Sequence, residues 1–196
     1  MMRSFFQRRK LMIITIVSLL IAGLVGGYLT LFFSTSTETK IVKVRLVEVL
    51  KDRGEEHWVE QYGLTSEQAA DIVKHPENYR SIMYTCELNN TSGIIDIIDI
   101  KTKPIFSKEI EKRALYYSKE IENYQINPGQ RYRESIRVLV KMDEEDTPEK
   151  LLEMAKKDRF TISGRKYLFL SDVPTNAPLS QFPMGSFSLE AKYEGE

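Results

Sequence analysis

Cysteine, histidine and tryptophan are scarce: the 196 residues hold one Cys, two His and one Trp. A lone Cys86 excludes an intramolecular disulfide framework and a multi-thiolate zinc site. The two imidazoles, His57 and His75, fall short of a histidine-rich metal centre, and Glu55-Glu56-His57 lacks the i, i+4 pairing of a zinc-peptidase helix. A surplus of one charge sign is missing as well, since 28 Lys and Arg balance 28 Asp and Glu. That balance leaves no overall cation excess for a nucleic acid, so none is expected as a partner. Disorder is excluded by a hydrophobic content of 42% and an aromatic content of 10%. No metal, no cofactor and no catalysis are expected.

What the chain does have is one long apolar run. Leu11 to Phe33 is free of charge, and as a helix it reaches roughly 34 Å, enough to cross a hydrocarbon core. The segment 1–10 carries Arg3, Arg8, Arg9 and Lys10 and no acid, which by the positive-inside bias keeps it in the cytoplasm. The expectation is a single-pass signal-anchor in the cell membrane: 1–10 inside, 11–33 as the span, 34–38 as a short linker, and 39–196 as one domain outside the cytoplasm. Without its four N-terminal cations the chain keeps 24 Lys and Arg against 28 Asp and Glu, a net charge of −4. A cleaved signal peptide has an apolar core of about 7 to 15 residues, shorter than this one, although Ser34 and Ser36 offer a small-x-small site. Within the run, Gly23 and Gly27 form G-x-x-x-G, and Ser18, Ala22 and Gly26 continue a small-residue stripe suited to close helix packing. A homodimer or a protein partner through the span is expected there.

After the linker the periodicity changes to two. Ile41 to Leu50 alternates and is rich in β-branched residues, and Arg80 to Leu88 puts Ile82, Tyr84, Cys86 and Leu88 on one face, with Ser81 on the solvent side. Ile94 to Thr102, Tyr132 to Met142 and a last strand with Phe187, Leu189, Ala191 and Tyr193 on one face read the same way. Ser163-Gly164 reads as a hairpin turn between Phe160–Ile162 and Arg165–Leu170. Two helices are expected in the connections: 64–75, with Thr65 and Gln68 as a capping box and Pro76 as a stop, and one from Thr147-Pro148 to about Asp158. Residues 108–124 fit both periods, and strand is preferred. The fold class is therefore mainly β, one β-sandwich behind an N-terminal transmembrane helix. The run CELNNTSGIIDIIDIKTKPIF followed by INPGQRYRESIRVLVK resembles immunoglobulin-like sandwiches of exported proteins and adaptor ear domains. The resemblance implies an immunoglobulin-like fold and carries no activity with it.

Tyr84-Thr85-Cys86 resembles the Thr-Cys motif of sortase transpeptidases, which implies a Cys86 thiolate with a base beside it. His57 and His75 are the candidate bases, and the first arginine after Cys86 is Arg113. The strand alternation instead makes Cys86 a small core residue. Ser81-Ile82-Met83 resembles the serine segment of Ser/Lys signal peptidases, without a matching lysine segment. Asp143-Glu144-Glu145-Asp146 lacks the ligand alternation and glycine of a calcium loop. Asn89-Asn90-Thr91 and Asn90-Thr91-Ser92 are formal glycosylation sequons. Tyr116, Tyr117, Tyr124 and Tyr132, interleaved with Arg131 and Arg133, form the candidate partner surface. The expected function is an extracytoplasmic binding or accessory domain of a cell-surface or envelope assembly. The other readings are the sortase-like enzyme and a ligand-sensing ectodomain coupled to a membrane partner.

Overall fold

The computed structural model describes residues 2–34, 37–118, 125–169 and 181–194. The chain divides into two compact units, Met1–Ser36 and Thr37–Glu196. The first is the helix α1 (Met2–Ser34). Its stretch Met12–Thr30 has a mean hydropathy of 2.3 and is exposed throughout, long and apolar enough to cross a membrane.

The second unit is mainly β, with seven strands in two antiparallel sheets among the described residues. One sheet has the order β1 (Thr37–Glu48), β2 (Tyr79–Asn90), β5 (Arg131–Lys141), β4 (Ala114–Tyr117). The other has the order β3 (Ile95–Ile105), β6 (Arg159–Phe169), β7 (Gln181–Lys192). Alternation explains the strands: Ile82, Tyr84, Cys86 and Leu88 of β2 and Ile136, Val138 and Val140 of β5 all enter a core shared with Ile97, Phe160, Ile162 and Ala191 of the second sheet. Edges of the two sheets meet at a single parallel bridge, Ile41 with Tyr193.

A second cluster lies on the other face of the first sheet, where Tyr79 and Leu139 pack with Val49, Trp58, Leu64, Ala69 and Ile72. It is covered by two helices, α2 (Glu55–Tyr62) and α3 (Ser66–Lys74). The capping box is present at α3: Thr65 Oγ1 accepts from the Gln68 amide at 3.2 Å, and Gln68 Oε1 accepts from the Thr65 amide at 3.0 Å. Lys141 Nζ, at 2.7 Å, and the Tyr79 hydroxyl both donate to Asp71 of α3, and these contacts, Lys141 first, hold its carboxyl below the usual range. Because α2 and α3 cover part of this face, Ser81 is buried at 8% exposure, where a solvent position was expected.

Among the described residues, four short α-helices, not two, and a 3-10 turn at Pro76–Asn78 occupy the connections of the domain. The unexpected ones are α2 and α4 (Lys108–Arg113); the remaining one is α5 (Pro148–Ala155). Gly54 stands at the α2 N-cap with no side chain to announce a helix. Residues 108–124 were expected to be strand, yet Ser107 accepts from the Ile110 amide and starts a helix before β4 begins at Ala114; 119–124 lie outside the described residues. The Ser163-Gly164 turn is also corrected: β6 runs unbroken through both. Glycine stands there because a Cβ at Gly164 would lie 2.9 Å from the Phe187 ring and 3.2 Å from the Ile98 carbonyl oxygen. Finally, β1 begins at Thr37, inside the expected linker, which puts Ser34 of α1 and the strand only two residues apart.

Candidate functional site

Chemistry in the core comes first. Cys86 is 2% exposed and pairs in register with Glu134 of β5. Glu134 is itself buried and accepts from Thr102 Oγ1 at 2.8 Å. Burial, reinforced by the Glu134 carboxylate, pushes the Cys86 thiol up to about 12. A nucleophilic cysteine needs the opposite environment, a cationic and accessible one. His75 caps α3 and lies 3.6 Å from Glu77, and His57 sits on α2 with its ring against Trp58 and Tyr62. Neither lines the small space around Cys86, which is bounded by Leu88, Ile100, Thr102, Tyr132, Glu134 and Ile162.

No group of three potential metal ligands exists among the described residues. The acidic run is engaged by protein: Arg113 bonds Asp143 at 2.5 Å and Asp146 at 3.0 Å, and Asp146 also accepts from the Asp143 amide. Asp99, at φ 52° in the bulge of β3, is ion-paired with Arg165. Of the two sequons, Asn90 is spent structurally. Its side-chain amide is 1% exposed and donates to the carbonyls of Ile95, at 2.7 Å, Ile126 and Asn127, tying β2 to β3 and to the segment before β5.

A cavity of about 1080 Å³ opens beside the edge strand β4. Three elements build it. Helix α2 stops at Gly63, whose left-handed φ of 64° lets its amide bond the Val59 carbonyl, so Tyr62 is left at the rim. The end of β3 supplies Pro104, Ile105 and Phe106, and β4 supplies Ala114 to Tyr117. Tyr62 and Tyr116 stack edge to face at 4.7 Å, and Phe106 and Tyr117 at 5.8 Å. Tyr117 is 47% and Ile105 46% exposed, with Glu60 and Glu111 also lining the opening. Such a surface offers aromatic faces, hydroxyl groups and a strand edge, which is the equipment for holding a polypeptide.

The candidate surface residues are divided among three places. Tyr116 and Tyr117 line the groove. Arg131 and Arg133 are exposed on the outer face of β5, whereas Tyr132 turns inward and packs on the main core. Tyr124 lies outside the described residues. On α1, Ser18, Ala22, Gly23, Gly26 and Gly27 are exposed, and a Cβ at any of the three glycines meets nothing within 4 Å. Tyr62, Ile105 and Phe106 had no signal in the sequence, because they reach the groove only through the register of β3 and the unannounced helix α2.

No family model matches the chain, and no curated protein matches it. Several solved structures are similar at low levels, and three of them illustrate the range. One is from Bacillus subtilis and is described as a lipoprotein (ycdA), 7% identical over 79% of this chain, with a TM-score of 0.28. The chain spans only 36% of that protein's length. The cupredoxin domain of amoB from Nitrosocaldus yellowstonii is 9% identical over 83% of this chain and 90% of its own, with a TM-score of 0.27. A protein from Archaeoglobus fulgidus is 8% identical over 80% of this chain and 98% of its own, with a TM-score of 0.22. Scores this low support no inference about activity or ligand.

Proposed function

We propose that the chain is a single-pass membrane protein whose domain, an immunoglobulin-like β-sandwich outside the cytoplasm, binds a protein partner in a cell-surface or envelope assembly. One observation carries this reading: an apolar helix with every residue of Met12–Thr30 exposed precedes a domain with its own core. An exposed apolar surface of that extent is costly in water and favourable in lipid. The strand order supports the immunoglobulin-like fold. Lettered A to G along the chain, the sheets are A-B-E-D and C-F-G, the order of constant-type immunoglobulin domains. Two features of antibody domains are replaced: Cys86 on the second strand has no disulfide partner, and Trp58 sits in α2. The aromatic groove beside β4 supports binding as the task of the domain, and the glycine-rich stripe of α1 supports pairing of spans.

Labelling of a Glu144→Cys variant on intact cells with a membrane-impermeant maleimide tests the topology. Glu144 is exposed, and the buried native Cys86 stays silent. Modification before lysis is the expected result; modification only after lysis places the domain inside and ends the proposal. A photo-reactive residue at Tyr117 should then give one dominant adduct that Tyr116→Asp abolishes.

A further inference from the structure

The register of the first sheet assembles a feature that no single strand displays. On its outer face, β1, β2 and β5 align four transverse rows: Glu38, Asn89, Arg131; then Lys40, Glu87, Arg133; then Lys43, Thr85, Ser135; then Arg45, Met83, Arg137. The bulge of β1 between Ile41 and Lys43 is what brings Lys43 and Arg45 into line with Lys40. Two columns result, Lys40, Lys43 and Arg45 on β1 and Arg131, Arg133 and Arg137 on β5, over a floor of Asn89, Glu87, Thr85 and Met83, with the acids Glu38 and Glu194 confined to the Arg131 end. Strand spacing puts the columns about 10 Å apart, and alternate residues put neighbouring rows about 7 Å apart.

All six cations are exposed. Glu87 alone is matched, by Arg133 at 2.8 Å. Arg45 donates to the Met83 sulfur and Arg137 to the Tyr62 hydroxyl, both neutral partners. Lys40, Lys43, Arg45, Arg131 and Arg137 have no carboxylate within ion-pair distance among the described residues. This cationic face belongs to a domain whose own balance is acidic. At the Arg45–Arg137 end, the face opens into a depression of about 390 Å³ lined by His57, Tyr62, Met83, Tyr116 and Arg137 among others.

We infer that this face docks an acidic polypeptide segment of the partner, which lies along the strands with carboxylates on both columns and an aromatic side chain in the depression. Charge complementarity selects the acid. The depression selects a polypeptide over inorganic phosphate, since Tyr62, Tyr116 and Met83 offer packing surface that a phosphate has no apolar group to fill. The inference deepens the binding reading above by giving the partner its chemistry, and it does not depend on which side of the membrane the domain lies.

The test uses the full-length chain in lipid nanodiscs made of zwitterionic lipid. Three probes are compared by fluorescence anisotropy: a peptide repeating Glu-Glu-Ser-Ser, which puts carboxylates on both sides of an extended chain, and carrying one Phe, the same peptide with Ala for Phe, and inorganic polyphosphate of equal charge. The Phe peptide should bind most tightly, about fivefold better than the Ala peptide, and weaken about tenfold between 50 and 300 mM salt as screening shortens the reach of the cations. Lys43→Glu with Arg45→Glu should cost about tenfold, whereas Lys101→Glu with Lys103→Glu, the same charge change on exposed positions of β3, should cost less than twofold. An unchanged Trp58 emission certifies that each variant is folded. Equal losses from both pairs, polyphosphate binding as tightly as the Phe peptide, or no binding by either peptide would overturn the inference. None of these bears on the maleimide result, so the two proposals fail separately.

Discussion

Buried polar side chains show most directly how single residues hold this domain. Asp158 is 1% exposed, accepts from the Ser107 amide at 2.7 Å and from the Tyr84 hydroxyl, and so joins α4, β2 and the start of β6. Burial, offset by those hydrogen bonds, raises its pKa above the ordinary 3.8. The native state therefore binds this proton more tightly than the unfolded state, and stability contributed by the neutral form is lost as pH rises from 3.8 through the raised value. Asp158→Asn cannot ionise and keeps an acceptor for Ser107. Its urea midpoint should gain on the native chain's as pH rises through that window and run parallel above it; a constant difference at all pH values would contradict the assignment. Asn90 is the second such residue. Asn90→Ala leaves the carbonyls of Ile95, Ile126 and Asn127 without their shared donor and should cost about 1–3 kcal/mol in chemical unfolding. Attachment of a glycan at Asn90 would demand the same sacrifice.

Elements differ in how openly they advertise themselves. β2 and β5 were legible because each buries alternate residues in one core, and α3 and α5 because Thr65 and Thr147 carry side-chain caps. Helix α2 begins at a glycine and sends no local signal, while α4 has a cap in Ser107 but spans only six residues whose charges fit either period. Gly164 misleads for a different reason: it satisfies a neighbour distant in sequence, Phe187, rather than a turn. Gly164→Ala should accordingly cost about 1–3 kcal/mol through the forced shift of that ring and of the Ile98 carbonyl. A neutral result in thermal unfolding would mean that β7 gives way freely. The site was legible only in part. Tyr116 and Tyr117 are visible as a pair, but the outer-face rows depend on a one-residue bulge in β1 that no periodicity announces. Loosening α3 tests the cover over that face: Thr65→Ala removes the capping box at about 1 kcal/mol. Since Trp58, the single tryptophan, is 3% exposed beneath it, its emission should shift to the red well before global unfolding.

At the scale of the whole molecule, one chain holds two compact units, an apolar helix and a mainly β domain. The domain 37–196 carries its own core, so a fragment released between Ser34 and Thr37 should unfold cooperatively within a few degrees of the full-length chain. A broad, non-cooperative melt of the fragment would mean that the helix contributes to the fold. The strand order also predicts slow folding, since most strand pairs are distant in sequence.

The bridge between Ile41 and Tyr193 adds a consequence in time rather than space. β1 is the first strand of the domain to be synthesised, and β7 is the last before the described chain ends at Glu194. Until β7 and Tyr193 have emerged from the ribosome, one side of the shared core has no lid, and Ile41 waits beside an empty place. A chaperone that shields the nascent domain would therefore be needed until β7 has emerged and paired with β6.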